Sequence, residues 1–101
     1  MMKAISQEAK VLASAHRKAD PDTTLIKFFP SARSNEICLL EISKSAPTTG
    51  EVLPFTFRED VSHGVDYPST VILLSPQEWL ELKGGKLALP EGWDLDTAED
   101  L

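Results

Sequence analysis

From Met2 to Ala19 the positions Ile5, Ala9, Leu12, His16 and Ala19 recur at steps of four and three, which places them on one face of a helix. The stretch is alanine-rich and lacks glycine and proline, and Asp20-Pro21 ends it because the residue before proline is pushed out of the α region. The pattern then changes to the strand type. Thr24–Phe29 and Glu36–Ser43 are rich in β-branched, aromatic and leucine residues, with Pro30 to Asn35 as the loop of an antiparallel pair. In the second run Cys38, Leu40 and Ile42 share one face and Ile37, Leu39 and Glu41 the other, so a central position is expected.

Glu51–Arg58 alternates again, with Leu53, Phe55 and Phe57 on one face. Pro54, which has no N–H to give, predicts a sheet edge or a bulge there. Thr70–Leu74 is apolar on both faces and reads as an inner strand. Ser75-Pro76-Gln77-Glu78 is a helix start: serine caps, proline takes the first turn where its missing N–H costs nothing, and glutamate completes the capping box. Gly84-Gly85 stops that helix after about two turns. Lys86–Leu89 is expected to be one more extended segment, closed by Pro90. The sum is an α+β domain: a mostly antiparallel sheet of four to five strands, with an N-terminal helix and a short C-terminal helix packed on it in two layers.

Composition sharpens this picture without changing it. A chain of 101 residues, 42% hydrophobic and 26% charged, holds one core and is too apolar for disorder. The formal charge of −6 is unevenly spread: residues 91–101 contribute −5, the other ninety only −1, and residues 1–19 stand at +3. The expected organisation is a single domain over 1–93 and a flexible acidic tail over 94–101. Lone Cys38 cannot form an internal disulfide, no apolar run approaches the roughly 20 residues of a membrane span, and polar Gln7, Glu8 and Lys10 interrupt any leader. A cytoplasmic setting without membrane contact follows.

Candidate chemistry is sparse. The loop from Arg58 to Ser69 is long for so small a domain and holds Asp60, His63 and Asp66 at steps of three, a set able to hold a divalent metal ion and support a small metal- or ligand-dependent enzyme. The same residues serve equally as ordinary turn formers. Arg33 and Ser34 offer donors for an anion. Lys3, Lys10 and Arg17, seven residues apart, make a basic helix stripe, which gives weak nucleic-acid binding as a third reading. Cys38, mid-strand, reads as core. Trp93, outside any periodic element, is either tied back to the domain or offered to a partner.

No phosphate-binding glycine loop, nucleophile elbow or metalloprotease helix occurs. The leading expectation is a non-catalytic protein, needing no cofactor, that acts through protein contacts: self-association as a homodimer, or an accessory partner. Trp93, Pro54, Lys3, Lys10 and Arg17 are the candidate contact residues.

Overall fold

The computed structural model describes residues 4–57 and 67–101. Helix α1 (Ile5–Ala19) leads into strand β1 (Thr23–Phe28), which pairs antiparallel with β2 (Ile37–Ser43). β3 (Pro54–Phe57), β4 (Ser69–Leu74), helix α2 (Pro76–Lys83) and a two-residue β5 (Glu99–Asp100) follow. The sheet runs in the order β3-β4-β2-β1-β5, and every neighbouring pair is antiparallel except β2 and β4, which are parallel.

That one parallel pair has a clear cause. β2 is buried at every position and β4 at all but Leu73, so each needs a strand on both sides and cover on both faces. They sit side by side in the interior of the sheet, and β3 goes to the rim, where Pro54 has no missing hydrogen bond to reckon with. An uninterrupted antiparallel meander would instead have put β3 beside β2.

The two helices take opposite faces, so the sheet is the middle of three layers where a two-layer packing would have put both helices on one. On one face Ala9, Leu12 and Ala13 of α1 meet Ile26, Phe28, Ile37, Leu39 and Val71. On the other, Cys38, Leu40, Ile42, Ile72 and Leu74 pack under Leu82 of α2, with Phe29 and Trp93. The buried stripe of α1 includes Glu8 and Ala13 and leaves Ala19 exposed, a slight rotation from the face read off the sequence.

Residues 86–89 form no strand. Leu87 and Leu89 instead lie against the core under α2, and Trp93 closes that layer, 6% exposed, with its ring 5.0 Å from that of Phe29. Gly92 makes this approach possible: its φ is 91°, and a Cβ there would come within 3.2 Å of the Ala32 carbonyl oxygen. The acidic segment after it, expected to be flexible, turns through Leu95–Thr97 and pairs with β1 as β5. Leu101 lies against the α1-side core, and its N–H donates to the Ile26 carbonyl.

α2 begins as its sequence predicts. The Glu78 N–H donates to the Ser75 hydroxyl, and the Ser75 N–H to Glu78 Oε1 at 2.9 Å. Glu78 does more than cap. Its Oε2 accepts the N–H groups of Thr49 at 3.1 Å and Gly50 at 3.0 Å, which ties the crossover between β2 and β3 to the start of α2. Gly50, at φ 77°, supplies the left-handed turn that points both amides inward.

Burial pushes the Glu78 carboxyl up, but donation from the Ser75, Gly50 and Thr49 amides outweighs it and holds the group below its ordinary value. A folded-state pKa below the unfolded one means the carboxylate stabilises fully above the ordinary glutamate range, and that contribution is lost as pH falls through the lowered value. Glu78→Ala is expected to cost about 2 kcal/mol at neutral pH, since three amides, that of buried Ser75 among them, lose their acceptor. In urea melts at several pH values, the gap between wild type and variant should shrink as pH falls below about 4. A gap independent of pH would disprove this account of the carboxylate.

Candidate functional site

A helix is about 10 Å across and strands lie about 4.8 Å apart, so one helix cannot cover five strands. α1 lies over β1 and β2. On the same face, the β3 and β4 side of the sheet keeps large apolar side chains in solvent: Leu53 is 52% exposed, Phe55 56% and Leu73 43%. Phe55 pairs in register with Val71, and the alternation puts Leu53 and Leu73 on that same face. Among the described residues no strand pairs with the outer side of β3, which leaves its main chain open beside this patch.

Between the patch and α1 stands a polar cluster. His16, near the end of α1, contacts Glu41 of β2 through Nδ1 and Oε2. One turn on, Asp20 Oδ2 accepts from the Ser43 hydroxyl at 2.6 Å and from that of Ser45 at 3.1 Å. The Ser43 hydroxyl, with smaller help from the Asp22 amide and Ser45, holds the Asp20 carboxyl below the usual range against a modest opposing push from burial.

A histidine, two carboxylates and two serines gathered where the end of α1 meets β2 invite comparison with a hydrolytic triad. The geometry differs from one. Ser43 gives its proton to Asp20 and is fully buried, whereas a nucleophile must present its oxygen to solvent with its proton directed to the base. The cluster acts as a clasp that closes the end of α1 onto β2.

No family model matches the chain, nor does any curated protein or solved structure. The site therefore rests on its own geometry.

Asp60, His63 and Asp66, the residues of the metal reading, lie outside the described residues, as does Lys3. Among the described residues no group of three or more His, Cys, Asp or Glu side chains is placed to hold a metal ion, and no helix is long and apolar enough to cross a membrane. Arg33 pairs with Glu36 at 3.4 Å, while Ser34 is exposed in the same loop, so the proposed anion donors are not drawn together. Pro54 is exposed at the head of the edge strand. Trp93 is packed inside and offers no free face to a partner. Lys10 and Arg17 come together, with Lys18, along a groove beside Leu101.

The patch and the clasp went unread in the sequence, although each left a trace. Glu41 is a charged residue in an apolar strand and His16 a polar one on an apolar helix face; two such misfits at buried positions call for each other. Leu53 and Phe55 alternate as core residues do, and only the width of α1 leaves them bare.

Cys38 is fully buried, and burial, with the nearby Glu36 charge, pushes its thiol up to about 11. Native protein at pH 8 should resist iodoacetamide, with alkylation following the rate of unfolding and becoming complete in denaturant. Rapid labelling of the native chain, followed by mass spectrometry, would contradict this.

Proposed function

We propose that this chain is a small non-catalytic domain that works through protein contacts, its own copies among them, across the apolar half-face of β3 and β4. The observation that carries the reading is the exposure of Leu53, Phe55 and Leu73 together, beside the open edge of β3. Single exposed apolar residues are ordinary on soluble proteins. Three large ones together, on the edge strand with its lead-in and on the strand next to it, form a patch of the kind that marks interaction surfaces. An edge strand next to such a patch also supplies unpaired amides and carbonyls, so a partner strand gains hydrogen bonds and apolar burial together.

Other features agree with a binding role. The polar cluster beside the patch spends its donors and acceptors on internal bonds, and the buried thiol is chemically quiet. A lone free cysteine suits a reducing setting such as the cytoplasm.

Size-exclusion chromatography with light scattering, from low micromolar to near-millimolar protein, tests the self-association. The mass of wild type should rise with concentration above that of one chain, and Phe55→Asp and Leu73→Asp should each return it to one chain with circular dichroism unchanged. A wild type that stays a single chain throughout would overturn self-association through this face.

A further inference from the structure

The flank of α1 away from β3 and β4 carries a second surface of different character. Lys10, Arg17 and Lys18 line a groove of about 310 Å³ with Ser14, Ala13 and Leu101, and among the described residues no acidic side chain lines it. Among the described residues none of the three cations takes part in an ion pair. This holds on a molecule whose formal charge is −6 and whose last residues run directly beside the groove. Asp100 is turned to Lys27 at 2.5 Å on the opposite face of the sheet, and Leu101 brings an apolar side chain to the groove floor. Among the described residues the acidic side chains of this last segment thus leave these cations unpaired.

The dimensions select a class of ligand. Lys10 and Arg17 are seven residues apart, about 10 Å along the helix axis, which a single small anion cannot bridge and about three residues of extended peptide can. β5 pairs with β1 at Lys27 and Phe28 and Leu101 bonds to Ile26, so among the described residues no strand pairs with the outer edge of β1 around Thr24. Carboxylates stand at both ends of β1: Glu99 is paired opposite Phe28 at one, and Asp20 and Asp22 lie where α1 passes into β1 at the other. A long polyanion or an anionic bilayer, which gains affinity by spreading over an extended basic surface, would meet those carboxylates. A short segment would not.

We propose that this groove binds a short acidic peptide segment of a partner protein. Its carboxylates face Lys10, Arg17 and Lys18, an apolar side chain rests on Ala13 and Leu101, and its backbone runs beside the open edge of β1. The site lies on the other flank of α1 from the apolar patch and does not depend on self-association.

The probe is a fluorescein-labelled pentapeptide of aspartate and glutamate around a central leucine, compared by fluorescence polarisation at low salt with its asparagine and glutamine counterpart. The acidic peptide should bind about tenfold or more tightly than the amide peptide, as expected for a few exposed charge pairs acting together. The double variant Lys10→Gln, Arg17→Gln, with its fold checked by circular dichroism, should erase the preference, and Phe55→Asp should leave it intact. Equal binding of the two peptides, or a preference that survives the double variant, overturns the proposal. So does tighter binding of a single-stranded oligonucleotide or of phosphatidylserine vesicles than of the acidic peptide.

Discussion

The parallel pairing of β2 with β4 is the constraint from which the rest of the molecule follows. Ile37–Ile42 and Ser69–Leu74 run side by side with apolar residues pointing both ways. A strand that keeps no solvent face requires a layer above and a layer below, and this chain is short of material for both. One 15-residue helix serves the first face. A helix of eight residues serves the second, and because it is too small for the area, the irregular segment through Leu87, Leu89 and Trp93 is drafted to finish the cover. Burial at roughly 25 cal/mol per Å² rewards even an irregular segment that brings a tryptophan and several leucines, provided its backbone finds partners.

Clasps hold this cover in place at its ends. Glu78 binds the crossover loop to α2, while the His16–Glu41 contact and the Asp20–Ser43 bond fasten the end of α1 to β2. In each case an acidic side chain sits where apolar packing gives out and spends its acceptors on donors from another element. Such bonds contribute little net stability apiece, but leaving one half unmade is costly, which makes them determinants of register rather than of bulk stability.

Elements and faces were legible in the residues to the extent that local chemistry decides them. The capping box at Ser75 and Glu78, the antiparallel pair around the Pro30–Asn35 loop and the edge position of Pro54 all depend on a few neighbouring side chains. The insertion of β4 between β2 and β3 depends on comparing the burial demand of strands far apart in sequence. The docking of residues 99–101 was hidden for a related reason: the charge of Glu99 and Asp100 dominates the reading of the segment, while Leu101 and the unpaired edge of β1 decide its position. Of the candidate site, the basic stripe at Lys10 and Arg17 could be read from helical spacing. The apolar patch could not, because Leu53 and Phe55 differ from core residues only in what fails to cover them.

The distribution of charge reaches further than the sum. The five carboxylates of the last eleven residues look, in sequence, like a free acidic tail able to neutralise the basic helix. In the fold some are committed elsewhere: Asp94 accepts the Asp96 amide to start a turn, and Asp100 pairs with Lys27. Among the described residues, therefore, no carboxylate side chain pairs with the basic groove, even though the acidic strand is its immediate neighbour. Opposite charges held close and yet unpaired leave the cations facing solvent, where they raise the local concentration of anions. The backbone pairing that anchors β5 decides this separation, since the hydrogen bond to Ile26 that fixes Leu101 beside the groove belongs to the same segment that sends Asp100 to Lys27 on the opposite face.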